Sequence, residues 1–151
     1  MRNLKCSLLR FDLKGEKLLE KKDFSVDMKA DLAETVLEIK TPKDKYFTVF
    51  DVKNDKGDLI CRTFYRDGAL PLEKTDAFRI VSQDDNSVTV EASKLLVSVF
   101  LDGDYVFDDS CFMMLPGEVR KISFKKTVTY GRDVSSHVPG INVTCYGLKL
   151  L

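Results

Sequence analysis

The feature that most constrains this chain is its two-residue periodicity, interrupted by turn signals about every ten residues, as expected of sandwich folds. In DFSVDMKA, Phe24, Val26, Met28 and Ala30 fall on one face, and Ser25, Asp27 and Lys29 on the other. NSVTVEAS places Val88, Val90 and Ala92 opposite Thr89 and Glu91, and RKISFKK repeats the pattern with Ile122 and Phe124. A strand with one face on a core and one in water reads this way. The punctuation is Lys14-Gly15, Asp55-Lys56-Gly57, Asp67-Gly68, Asp84-Asp85-Asn86, Asp102-Gly103, Pro116-Gly117 and Pro139-Gly140. Gly after Asn or Asp supplies the positive φ of tight hairpins. FDLKGEKLLEKKDF and FDVKNDKGDLICRTF therefore read as two similar hairpins.

Two segments, LAETVLEIK and EASKLLVSVF, have enough apolar residues to suggest helices. Both are short and poorly capped, and Val97, Val99 and Leu101 alternate, so both are read as strands. The expected fold is all-β and antiparallel, with about ten to twelve strands in β-sandwich layers. That many strands in 151 residues suggest two sandwich layers, or two small sandwiches in series. The seam falls in YRDGALPLEKTD, residues 65 to 76, giving one unit at 1–66 and another at 67–151. Leu9, Phe11 and Leu13 alternate along the first visible strand, which is expected to lie at a sheet edge or to lack cover.

Lys and Arg total 24 and Asp and Glu total 24, so no basic excess points to nucleic acid or an anionic membrane. The start, MRNLKCSLLRFDLKG, is charged too early for a signal-peptide core, and no later run approaches a membrane span. Cys6, Cys61, Cys111 and Cys145 include no C-x-x-C pair, which argues against zinc or a dithiol redox site. They are expected to be small buried hydrophobes in strands, with free thiols.

Catalytic chemistry finds little support. A Ser or Cys nucleophile needs a base, usually His, and the lone His137 lies in the loop-like SSHVPG. Asp108-Asp109 is the densest carboxylate pair near a strand end; Asp side chains there most simply bond local backbone and shape a turn. The sequon Asn142-Val143-Thr144 lies within a strand pattern. No Trp is present, and five tyrosines are scattered along the chain, a poor platform for stacking sugar rings. No catalytic, cofactor-binding or metal-binding residue is assigned.

Residues 97 to 124, VSVFLDGDYVFDDSCFMMLPGEVRKISF, resemble the C-terminal immunoglobulin-like domain of β-mannosidases of glycoside hydrolase family 2. Members of that family show a V-x-L strand, a phenylalanine, a short polar run, an aromatic pair and a Leu-Leu-Pro-Gly-Glu turn. Phe107 fills the first aromatic position, Asp109 the aspartate, Phe112 the second aromatic, and Leu115, Pro116, Gly117 and Glu118 the turn. Ser110 replaces the usual Asn, and Cys111 and Met113 stand where an aromatic and an acidic residue are common. Upstream, the two hairpins and the connector ALPLEK resemble the sandwich that precedes this domain. The resemblance implies immunoglobulin-like β-sandwich domains in series, with residues 1–66 an incomplete sandwich whose opening strands are missing. The resemblance implies that Phe107, Phe112, Met114 and Leu115 plug a core and that Glu118 is a solvated turn residue.

The same resemblance implies a non-catalytic accessory module. The parent reaction would be retaining hydrolysis of terminal β-D-mannosides by two glutamates on a (β/α)8 barrel, the acid/base in an Asn-Glu dipeptide. The chain has no Asn-Glu, and its β pattern leaves no room for a barrel of roughly 250 residues. The implied partners are the catalytic barrel and neighbouring sandwich domains, with no nucleic acid and no membrane. The alternative is an autonomous module binding mannan-type glycans. A cytoplasmic, periplasmic, secreted or lysosomal parent is equally compatible.

Overall fold

The computed structural model describes residues 2–28, 35–39, 46–103, 105–126 and 140–149. His137, Ala30, Lys29 and Pro139 lie outside them. The described residues form twelve strands and no helix. The chain divides between Pro71 and Leu72 into two compact units.

The first unit contains β1 (Arg2–Phe11), β2 (Leu18–Met28), β3 (Phe47–Lys53) and β4 (Leu59–Tyr65) in one antiparallel sheet of order β2-β1-β3-β4. Its two hairpins share one turn chemistry. Asp12 Oδ1 accepts the Glu16 N–H at 2.9 Å, and Asn54 Oδ1 accepts the Asp58 N–H at 2.8 Å. Gly15 N–H donates to the Asp12 carbonyl, and Gly57 N–H to the Asn54 carbonyl. Each glycine has the positive φ that such a turn requires, 69° and 94°. The spacing of an Asp or Asn three residues before a Gly thus produces both hairpins.

Strand β1 is interior, paired with β2 on one side and β3 on the other. This corrects the expectation of an edge. The apparent run Leu9, Phe11, Leu13 misleads because the strand ends at Phe11 and Leu13 belongs to the turn. Successive Leu8 and Leu9 point to opposite faces and both are buried, the pattern of a central strand. Phe47 and Val49 of β3 are also fully buried. Residues 35–39 are neither helix nor strand, so the described part of LAETVLEIK does not form the expected strand. Val36 and Ile39 stay exposed.

The second unit contains β5 (Leu72–Thr75), β6 (Phe78–Gln83), β7 (Ser87–Ala92), β8 (Leu96–Gly103), β9 (Tyr105–Phe107), β10 (Cys111–Met114), β11 (Val119–Lys126) and β12 (Ile141–Leu148). They make two sheets, β10-β8-β12-β5 and β6-β7-β11-β9. Val88, Val90 and Ala92 of β7 and Ile122 and Phe124 of β11 share one buried core with Val99 and Leu101 of β8, Phe112 and Met114 of β10, and Cys145 of β12. Alternation in each strand puts these side chains on the inner faces, as a sandwich core demands. EASKLLVSVF is not one strand. It ends β7, bends at Ser93-Lys94, and begins β8.

Candidate functional site

The stretch DDSCFMMLPGE links β9 to β10 and β10 to β11. Phe112 and Met114 enter the core at 7% and 0% exposure. Phe107 is half-buried and packs against the core cluster, 5.8 Å from the Phe124 ring centroid. Leu115 departs from the expected core plug: it is only half-buried, because its backbone already turns away from the sandwich.

The turn that follows is fastened at both ends. Glu118 N–H donates to the Leu115 carbonyl at 3.0 Å, and Leu115 N–H donates to Glu118 Oε2 at 2.7 Å. Gly117 adopts φ 75°, as the third position of a Pro-Gly type II turn requires. Its N–H donates to the Ala92 carbonyl, and Ala92 N–H donates to the Glu118 carbonyl, at 2.8 and 3.1 Å. Glu118 is therefore not the solvated residue expected. It is half-buried and its carboxylate closes the turn on the end of β7.

Asp109 is equally committed. One carboxylate oxygen accepts the Cys111 N–H at 3.3 Å and the other accepts Arg120 Nη2 at 2.6 Å. The Arg120 guanidinium lies 4.2 Å from the centroid of the Phe112 ring. Arg120 thus clips the polar bend to the aromatic plug through an ion pair and a cation–π contact. Sequence reasoning missed this residue. The available signal was its place two residues after Glu118, on a strand that must pass under the bend.

The motif offers no assembled nucleophile. Ser110 and Cys111 are exposed, and Ser110 contributes its carbonyl to the Leu101 N–H. Of the four cysteines, all unpaired, only Cys6 and Cys145 are buried. Exposed Cys61 and Cys111 correct the expectation that all four are core residues: Cys61 lies on the edge strand β4, and Cys111 faces exposed Phe100 across β10 and β8. Burial pushes the Cys6 thiol up, and pushes the Cys145 thiol up to about 11, so neither ionises readily. Among the described residues no group of three or more His, Cys, Asp or Glu side chains is arranged to hold a metal ion.

Open recesses lie among the described residues of the second unit. One of about 570 Å³ is lined by the Asp84–Ser87 turn with Lys121 and Lys125. The Asn86 N–H and the Ser87 hydroxyl hold the Asp84 carboxyl below its ordinary range, so Asp84 is a turn-former consumed by its own loop. Another of about 570 Å³ involves Glu73, Asp76 and Val143, and one of about 410 Å³ involves Asp76, Arg79 and Glu91. Arg79 pairs with Glu91 across β6 and β7.

The first unit holds one buried charge pair that the sequence reading did not single out. Asp51 and Arg62 stand directly opposite in β3 and β4. Arg62 Nε and Nη2 donate to the two carboxylate oxygens at 2.7 and 2.9 Å, with the side chains 8% and 4% exposed. The hairpin register could have revealed it once the turn at 54–58 was fixed.

Residues 72–144 match the protein-family model Ig_mannosidase, described as an Ig-fold domain. The matched span is nearly coextensive with the second unit and holds both sheets and the 107–118 motif. This part of the chain is similar to the Ig-fold domain of that family model. The match covers just under half of the chain, and a search of curated proteins returns no match. Within the Ig-fold domain, Phe107, Asp109, Phe112, Pro116, Gly117 and Glu118 all take part in one scaffold, the junction of β9, β10 and β11.

Proposed function

We propose that this chain is a non-catalytic accessory module of a β-mannosidase-like glycoside hydrolase, whose parent reaction is retaining hydrolysis of terminal β-D-mannosides. In this reading residues 1–66 are a partial immunoglobulin-like sandwich and residues 67–151 the C-terminal Ig-like domain. They pack against the catalytic barrel and neighbouring sandwich domains and hold the enzyme's shape. The single observation that supports it best is the Ig_mannosidase match of residues 72–144. The chemistry of the motif agrees: the Asp109 carboxylate bonds Arg120 and Cys111, and the Glu118 carboxylate bonds Leu115. A glycosidase acid or nucleophile must instead face a substrate.

Two measurements test this reading. The purified chain should not hydrolyse a nitrophenyl β-mannoside, and turnover surviving controls for host enzyme would contradict it. Added to a β-mannosidase deprived of its C-terminal Ig-like domain, the chain should raise that enzyme's melting temperature. No change at saturating chain would count against the structural role.

One observation favours a second reading, binding of mannan-type glycans. On the outer face of β8 and β12, Phe100 is 42% exposed and meets Tyr146 edge-on at 6.1 Å. An exposed ring beside Thr144, its cross-strand neighbour, offers a stacking surface and a hydroxyl. Affinity electrophoresis in a mannan gel decides: retardation abolished by Phe100→Ala supports glycan binding, and unretarded migration of the parent chain rejects it.

A further inference from the structure

A sheet edge carries unpaired backbone groups, and folded proteins blunt such edges with charge, shortness or bulges. Among the described residues the three sheets have six edge strands: β2 and β4, β10 and β5, β6 and β9. Three are short: β9 has 3 residues, and β5 and β10 have 4 each. Strand β2 is long but carries Glu20, Lys21, Lys22, Asp23 and Asp27. Strand β6 has an exposed Arg79 and a register shift between Ile80 and Ser82.

Strand β4, LICRTFY, differs from all five. It has 7 residues, and its single charge, Arg62, is turned inward into the Asp51 pair. A bulge at Ile60 marks its start, where Val52 faces Cys61 and Lys53 faces Leu59. From Cys61 to Tyr65 the register against β3 is regular. Ile60, Phe64 and Tyr65 are 58%, 41% and 51% exposed. These are strongly β-favouring residues on an edge with no exposed charge to repel another strand.

We propose that the β4 edge is a self-association surface, on which a second copy of this chain lays its own β4 antiparallel, centred on Thr63. Antiparallel pairing about a two-fold axis is isologous, so the same edge supplies both halves and the assembly closes as a dimer. The Thr63-centred register sets Thr63 against Thr63, Arg62 against Phe64 and Cys61 against Tyr65, with no like charges opposed. A Thr–Thr cross-strand pair is itself favourable. The β2 edge as occupant, with its Glu20, Lys21, Lys22 and Asp23, would instead join two different edges and would build an open chain of molecules. The pairing involves one strand from each copy, well below the roughly 1,200–2,000 Å² of a stable interface, so the dimer is weak and concentration-dependent.

Sedimentation velocity of the full chain over a dilution series tests this. The expected result is a reversible monomer–dimer equilibrium. Thr63→Lys and Thr63→Glu, at an exposed position of the edge, should each weaken it by about tenfold through like-charge opposition across the axis. An equimolar mixture of the two variants should restore the dimer, and Val81→Lys on the β6 edge should leave it unchanged. A chain that stays monomeric at the highest soluble concentration overturns the proposal and leaves the edge to a strand of another protein. A dimer indifferent to both Thr63 variants, or a mixture that fails to restore it, overturns the β4 register.

Discussion

The two units use the same strands and turns to different ends. Among the described residues, the first unit places four strands in one sheet, whereas the second folds eight strands into two sheets around a shared core. The sandwich buries Val88, Val90, Ala92, Leu96, Val99 and Met114 completely, and its cohesion comes from apolar area removed from water. The single sheet has fully buried Phe47 and Val49 but also exposes Leu18, Leu19, Leu59, Ile60, Phe64 and Tyr65, and its most enclosed polar feature is the Asp51–Arg62 pair. A buried ion pair adds specificity of register more dependably than stability, because desolvation offsets much of its attraction. The contrast is between a sandwich whose two inner faces meet in one apolar core and a sheet whose described residues combine buried apolar positions with a buried ion pair and an apolar, exposed edge strand. The first unit is therefore proposed to be the weaker of the two.

The sharpest way to break this comparison is a matched pair of large truncations. Phe112→Ala empties an aromatic core site under Arg120 and should cost roughly 3–5 kcal/mol. Asp51→Ala removes the two-point carboxylate partner of a buried guanidinium and should cost a similar roughly 3–5 kcal/mol. A domain has only about 5–15 kcal/mol in total, so Asp51→Ala should abolish the cooperative transition of the first unit and leave that of the second. Phe112→Ala should lower the second transition and leave the first. Calorimetry showing one transition displaced equally by both variants would mean that the units do not unfold separately.

A smaller effect concerns alkaline pH. Cys145 ordinarily titrates near 9.0 and is pushed up to about 11 by burial in the sandwich core. Between these values the unfolded thiol ionises and the folded one does not. Its contribution is complete below pH 9, and is lost as pH rises towards 11. The gap corresponds to roughly 2–3 kcal/mol. Cys145→Val should flatten this part of the stability–pH profile of the second unit, read by denaturant titration. An unchanged alkaline slope would show that Cys145 does not control it. Native-state thiol labelling should also modify exposed Cys61 and Cys111 quickly, and buried Cys6 and Cys145 only on unfolding.

Smaller still is Gly117→Ala. Nothing lies within 4 Å of an added Cβ there, so the cost comes from φ 75° alone, about 1–2 kcal/mol. The smallest expected effect is Asp109→Asn, which loses an ion pair whose side chains are 29% and 39% exposed and should cost under about 1 kcal/mol. A double-mutant cycle with Arg120→Ala would separate that pair from the stacking of Arg120 on Phe112.

The legibility of these features in the sequence followed the range of the interaction. Both hairpins were readable because Asp12 with Gly15, and Asn54 with Gly57, act within one turn. Core strands β7 and β11 were readable because alternation survives whatever the strand pairs with. The Phe107–Glu118 block carried the family resemblance. Long-range choices were not readable. Residues 8 and 9 do not reveal which neighbours bury them, so β1 passed for an edge. Leu115 and Glu118 are adjacent to the core in sequence, but the turn lifts one out of it and draws the other in. Arg120 and Asp109 are 11 residues apart and meet only because β11 returns beneath the bend.

Hydrogen exchange followed by mass spectrometry tests the central contrast most directly. On a protein held monomeric by dilution, backbone amides of β1, β2, β3 and β4 should exchange through openings of lower free energy than those of β7, β8 and β11. Protection across residues 2–66 equal to that across 85–125 would contradict the account and show that the single sheet is as stable as the sandwich.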